Sequence, residues 1–306
     1  MAQQFIRKAT LVIGTGNQAL DLSALQFQFS VKASTIRTPK RVQLRIYNLK
    51  KETSQKVVTI GASVILSAGY SGNFGTIFSG QIVQVRIGRE NATDTFLDIS
   101  AADSDYTYNQ AIVNFSVSKG SSVIGRLGQL ANAGGVKLGT TALPSIPAQL
   151  QRGRVYFGLL RDHMSSLCGT IGADWTLNNG KLEVVAQNGY RPGQIPLVTA
   201  ATGMIGVPEQ TPEGIQVKTL LNPFLDINGL VQLDNASIQQ YQFPLGLSET
   251  AKAALVPPIS RDGKYKVLFL EHIGDTRGQE WYSELVCYSG FSMGQLTYLP
   301  TQRKGY

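Results

Sequence analysis

The chain has 306 residues, 42% of them hydrophobic and 16% charged, with 32 glycines and 12 prolines. That length holds two or three ordinary domains, and the balance suits a turn-rich β protein better than a helical bundle or a disordered chain. The apolar run in the opening MAQQFIRKATLVIGTG is too short for a secretory signal, and no later run has the length of a membrane span, so a soluble protein made in the cytosol, with no membrane insertion, is expected.

The formal charge of +8 is concentrated at one end. Residues 1–60 carry Arg7, Lys8, Lys32, Arg37, Lys40, Arg41, Arg45, Lys50, Lys51 and Lys56 against Asp21 and Glu52, and the rest of the chain is balanced. In chain order, ALQFQFSVKAS alternates Leu25, Phe27, Phe29 and Val31 with polar residues, and RVQLRIYNL alternates Val42, Leu44 and Ile46 with Gln43, Arg45 and Tyr47. Both have the period-two signature of a half-buried strand. Further strands are predicted at ASVILSAGY, TIFSGQIVQVRI and TDTFLDISAAD, which makes residues 1–104 an all-β domain.

The pattern then changes. SSVIGRLGQLANAGG spaces Val123, Ile124, Leu127 and Leu130 helically between a serine N-cap and a Gly-Gly stop. A second helix is predicted over RVYFGLLRDHMSSLCGTIG, with Tyr156, Leu160, His163 and Leu167 on one face, followed by a hairpin ADWTL-NNG-KLEVVA turning at Asn179-Gly180. Residues 105–192 therefore form a small α+β unit. From 193 to 306 the β patterning returns in GIQVKTLLNP, GLVQLDN, KYKVLFLEH and QEWYSELVCY.

An internal repeat links the two β regions. VQLRIYNL, from Val42, aligns with IQVKTLLNP, from Ile215, each strand ending near an asparagine, Asn48 or Asn222. In both regions a glycine (Gly61 or Gly229) opens the next strand, another (Gly80 or Gly263) precedes a closing hairpin, and the order of the four elements is the same. The fold class is thus mainly β with an α+β insert, two related β domains flanking it. In this alignment HIGDTRGQEW occupies the loop position of IGRENATDTF, so it is expected to be a structural turn: Gly274 and Gly278 supply unusual backbone angles, Asp275 caps, Arg277 braces, and Trp281 is core.

Little in the chain has the form of a reactive centre. His163 and His272 are the only histidines, Cys168 and Cys287 have no ligand or disulfide spacing, and a Cys168/His163 dyad would place its members at an offset that points apart on a helix. GTGNQA at Gly14 and GRLGQL at Gly125 lack the context of a phosphate loop, and the acidic pairs Asp94/Asp98 and Asp103/Asp105 look like strand-end or solvent-face carboxylates. No catalytic residue, metal or cofactor is expected. The basic residues Lys32, Arg37, Lys40, Arg41, Arg45, Lys50 and Lys51 form a candidate contact face for an acidic protein partner or for phosphates.

RVQLRIYNL with IFSGQIVQV, RDHMSSLCGTIGADWTLNNGKLEVV, and GIQVKTLLNPFLDINGLVQL with EHIGDTRGQEWYSELVCY occur in the order found in the central hub proteins of bacteriophage tail baseplates, which the chain resembles over most of its length. The resemblance implies two tail-tube-like β-barrel domains. It implies a homotrimeric ring of pseudo-sixfold symmetry that joins the hexameric tail tube protein to the trimeric central spike protein and continues the DNA channel. The implied partners extend to other baseplate proteins and the tape measure protein, and the place to the virion tail after assembly in the host cytoplasm. Some members carry a lytic domain; this chain has no room for one, so a non-enzymatic hub is expected. A peptidoglycan-degrading tail enzyme and a nucleic-acid-binding β module are the alternatives.

Overall fold

The computed structural model describes residues 6–15, 18–35, 38–50, 52–54, 62–143, 149–243 and 255–289; Arg37, Lys51 and Gly61 lie outside them. Seven strands occupy the first third: β1 (Arg7–Thr15), β2 (Gln18–Asp21), β3 (Phe27–Ser34), β4 (Arg41–Tyr47), β5 (Ser63–Tyr70), β6 (Asn73–Arg89) and β7 (Thr95–Ala102). They pair in the order β3-β4-β7-β6-β5-β1-β2, all antiparallel. Alternation does what it implies: Phe27, Phe29 and Val31 of β3 and Val42, Leu44 and Ile46 of β4 are buried together with Leu66, Phe78, Leu97 and Ile99. Gly80 lies inside the 17-residue β6 and not ahead of its hairpin; a Cβ there would stand 2.5 Å from the Ala102 carbonyl oxygen.

The middle third contains α1 (Asp105–Asn109), β8 (Ile112–Val117), α2 (Val123–Ala133), β9 (Lys137–Ala142), β10 (Arg154–Leu159), α3 (Leu160–Thr170), β11 (Ala173–Asn178) and β12 (Lys181–Ala186). The Ser122 Oγ accepts the Gly125 N–H at 3.0 Å and so caps α2. Asn179 and Gly180, at φ 51° and 72°, form the tight turn of the β11–β12 hairpin. The second predicted helix is only half correct: residues Arg154–Leu159 are a strand paired to β8, and the helix starts at Leu160. Val155 and Phe157 are exposed and Tyr156 between them is fully buried, a period of two that the helical reading of Tyr156 overlooked. Val113, Leu127, Leu130, Tyr156, Met164, Leu167, Trp175 and Leu182 make a separate core here.

The last third comprises β13 (Leu197–Val198), β14 (Met204–Thr211), β15 (Gly214–Leu220), β16 (Leu230–Leu233), β17 (Lys264–Asp275) and β18 (Trp281–Tyr288). They pair as β14-β15-β18-β17, with β16 on β17 and β13 on β16. The run β3-β4-β7-β6-β5 is therefore repeated as β14-β15-β18-β17-β16, the same connectivity in the same order. The two runs are parts of one 13-stranded sheet, because β3 pairs with β17 from Gln28↔Asp275 to Ser34↔Phe269. The main core of the last third contains Val217, Val231, Leu233, Tyr265, Val267, Leu270 and Leu285, whereas Leu221 and Trp281 belong to the first core.

Candidate assembly surfaces

The repeat extends to side chains. On β4 and β7, Arg45 holds Asp98 through Nε at 2.8 Å and lies 4.2 Å from the centre of the Phe96 ring. On β15 and β18, Lys218 is 3.3 Å from Glu284 and 3.5 Å from the centre of the Tyr282 ring. Both trios have a base on the second strand of the run, with its acid directly opposite and an aromatic two residues before the acid. The long hairpins also share a register shift, after Ile82 on β6 and after Val267 on β17. A register shift interrupts the ladder, and finding it at the same place twice ties the two hairpins to one design.

The junction between the two β units is β3 against β17. Lys32 faces Glu271 at 3.5 Å, and the Ser30 hydroxyl donates to the same carboxylate at 2.7 Å. Its lower end is clamped by Trp281, which is 2% exposed, meets Phe29 edge-on at 5.4 Å and donates its Nε1–H to the Gly69 carbonyl at 3.2 Å. Arg7 stacks over the same indole at 5.7 Å and donates to the carbonyls of Gly278 and Gln279. Asp275 accepts the Arg277 backbone N–H at 2.8 Å and the Gln28 side-chain amide at 3.0 Å, so the Asp-Thr-Arg turn is tied to both its own backbone and β3. Gly274 and Gly278 do not adopt positive φ as expected. They are glycines for want of space: a Cβ at Gly274 would stand 2.3 Å from the Phe29 ring, and one at Gly278 would stand 2.4 Å from Asp275 Oδ2.

Asn48 has φ 53°, accepts the Thr95 N–H at 3.1 Å and donates to Asp94 at 3.0 Å, which pins the end of β4 to the β6–β7 hairpin. Asn222 accepts the Phe224 N–H at 3.0 Å, and its own N–H reaches the Ser283 hydroxyl at 3.3 Å. The two asparagines thus secure the same kind of exit from equivalent strands by different bonds.

All three thirds of the chain meet at a charged cluster in which Lys40 and Glu183 are buried and Asp226 and Arg191 half-buried. Asp226 is approached by Lys40 at 3.9 Å from the loop before β4, by the Asn178 amide at 2.7 Å, and by Arg191, which also reaches Glu183 at 3.6 Å. Burial pushes Asp226 towards neutrality, but Lys40 and Arg191 outweigh it and hold the carboxyl below its ordinary value. Burial raises Glu183 and Asp103, the latter 1% exposed and accepting the Gly180 N–H, so Asp103 is not a solvent-face carboxylate. This cluster was not legible in sequence because its members are spread from 40 to 226.

Lys32, Arg41 and Arg45 share the polar face of the β3–β4 ladder, Lys32 directly opposite Arg41, and Lys40 does not join them. Lys40 is buried in that cluster, Lys32 is paired across the β3–β17 junction, and Arg45 is held by Asp98, with Arg86 donating to the same carboxylate at 2.6 Å. Of the described members Lys32, Arg41 and Lys50 are exposed, and Lys32 is paired with Glu271.

His272 and Ser283 share a 2.7 Å hydrogen bond through Nδ1, the contact a base makes to a nucleophile. Both are sealed, at 3% and 0% exposure, and Ser283 Oγ also accepts the Asn222 N–H, so the contact is a structural bond within the core. Burial, with Lys40 nearby, pushes the His272 pKa down to about 3. His163 packs edge-on against Tyr156 at 5.3 Å, and Cys168 and Cys287 are buried. Among the described residues no group of three His, Cys, Asp or Glu side chains is placed to hold a metal ion, and no helix is long and apolar enough to cross a membrane.

No family model matches the chain, and no curated protein matches it in sequence. Solved structures do match in fold. A tail protein from Neisseria meningitidis MC58 superposes with a TM-score of 0.58 at 9% identity, over 92% of this chain and 96% of that one. A 43 kDa tail protein of prophage MuSo2 from Shewanella oneidensis gives 0.57 at 8% identity, over 92% and 96%. An E. coli component of the type VI secretion system, described as similar in structure to the T4 bacteriophage tail proteins gp27 and gp5, gives 0.58 at 9% identity, over 92% and 77%. At such identities what is shared is architecture, and the architecture of this chain, a mainly β molecule with an α+β insert, is that of the phage tail proteins it resembles in sequence order.

Proposed function

We propose that the protein is a structural hub of a phage tail baseplate, a homotrimeric ring that adapts a hexameric tail tube to a trimeric central spike and continues the DNA channel between them. The observation that carries this is the duplication inside one sheet: the strand order, the base–acid–aromatic trio and the hairpin register shift each occur twice. Three copies of a chain with two equivalent β units present six similar positions on one side while remaining threefold elsewhere, which is the geometry a six-to-three adaptor needs. The fold shared with the Neisseria and Shewanella tail proteins supports a tail role, and the gp27 and gp5 likeness of the type VI component supports a place beside a spike. The reading is non-enzymatic, since the one histidine–serine contact is sealed in the core. The domains take the boundaries 1–104, 105–192 and 193–306, and assembly occurs in the host cytoplasm before incorporation in the virion. End-on electron microscopy of the assembled tail tests it: a ring of six lobes with threefold periphery is expected, and a dimer, or β units stacked along the axis, would refute it.

A further inference from the structure

The geometry points to a docking edge for a second copy of this chain: the outer edge of β6 at residues 83–89, covered by the 205–207 stretch of β14 of the next copy. The inference rests on the ring reading above and adds the surface that joins its members. Aligning the trios and the register shifts makes Val83 equivalent to Leu268, Ile87 to His272 and Arg89 to Gly274. In β17 residues 269–274 are flanked by β18 on one side and β3 on the other, the Leu268 carbonyl accepts the Thr35 N–H at 2.9 Å, and Leu268 and His272 are 4% and 3% exposed. In β6 the same stretch pairs with β7 alone, since β5 pairs with residues 73–81, and among the described residues no strand lies on its other edge. There Val83 and Ile87 are 43% and 61% exposed.

One half of the duplication thus shows what the other half is missing. The strand that covers β17 is β3, and its equivalent in the second unit is β14, the outermost strand at that end of the sheet, which bears exposed Ile205 and Val207. Within a chain β3 of the first unit covers β17 of the second; β14 of the second has only the first unit of another copy left to cover. An uncovered edge with large apolar side chains is the kind of surface that pairing removes from water. The copy-to-copy junction does not repeat β3–β17 bond for bond. β14 is irregular between Ile205 and Glu209, the Met204 N–H is held by the Thr199 carbonyl at 2.9 Å, and Glu209 is bridged to Gln239, which leaves Ile205–Val207 as the stretch to be covered. The contact is head-to-tail, and a head-to-tail contact forms a ring when the rotation between copies closes, which at three copies is the ring of the reading above.

The test uses the full chain carrying Arg89→Cys and Val207→Cys together, both positions exposed, with the native cysteines buried. A short bismaleimide should link the double variant into a covalently closed trimer, while each single variant stays at the wild-type background. Ile87→Asp, at an exposed position, should leave the melting temperature of the protomer unchanged and abolish linking. Dimers from a single variant, or undiminished linking when Ile87→Asp is added to the double variant, would overturn the proposed edge. If an amine cross-linker yields wild-type trimers while the cysteine pair stays unlinked, the edge is wrong and the ring stands. Linking of the pair into open chains that do not close at three would leave the edge and remove the ring. No linking by either reagent at high protein concentration would remove both.

Discussion

His272 is an internal meter of how tightly the two β units are joined. It lies on β17 opposite Val31 of β3, 3% exposed, with Lys40 and Asp226 as the nearby charges. Its pKa falls from 6.5 to about 3 because burial disfavours the cation. The folded state therefore favours neutral imidazole, whereas the unfolded chain takes up the proton near 6.5. The stability this provides is fully present above pH 6.5 and is lost as pH falls from 6.5 towards 3. Each pH unit in that window costs about 1.4 kcal/mol, which amounts to ~3 kcal/mol by pH 4.5 and ~5 kcal/mol by pH 3. That is a large part of the 5–15 kcal/mol about which ordinary domains are stable. Raised Glu183 and Asp103 act in the opposite sense on acidification, so the difference between wild type and His272→Gln isolates the histidine. Urea unfolding at pH 7.5 and 4.5 should show the wild type losing ~3 kcal/mol more than His272→Gln. Proton NMR, with only His163 and His272 to assign, should show one imidazole still neutral at pH 5. Equal losses in the two proteins, together with two imidazoles titrating near 6.5, would refute the burial argument.

Trp281→Ala should cost about 3–5 kcal/mol in urea unfolding, since a fully buried aromatic is lost along with its bond to Gly69; a loss under ~1 kcal/mol would mean that Trp281 does not clamp the junction. Asp226→Asn should destabilise by about 3 kcal/mol at neutral pH, because Lys40 and Arg191 lose the carboxylate between them, and should do so less at high salt only to a small extent. A melting temperature equal to wild type would show that the three-way cluster carries no net stability.

Sequence by itself determined most of the strands, since Phe27, Phe29, Val31 and Val42, Leu44, Ile46 alternate strictly and alternation has one structural meaning when a single face is buried. It also determined the duplication in outline, because equivalent strands keep the same polar–apolar phase even where few residues are identical. The helix at Ser122 was legible from its cap, and the strand before Leu160 was not, because Tyr156 sits at a spacing that suits both a helix face and one face of a strand. Tertiary structure alone decided that the two β units share one sheet through β3 and β17, that Trp281 lies in the first core, and that Lys40, Arg191 and Asp226 converge. Local pattern reports which face of a strand is buried and carries no information on which edge it pairs; edges are chosen by backbone hydrogen bonds that every sequence can make. For the same reason the equivalence of Ile87 and His272 emerges only from the ladder register, and their opposite exposures, 61% and 3%, go with a second neighbouring strand on β17 and, among the described residues, none at that stretch of β6.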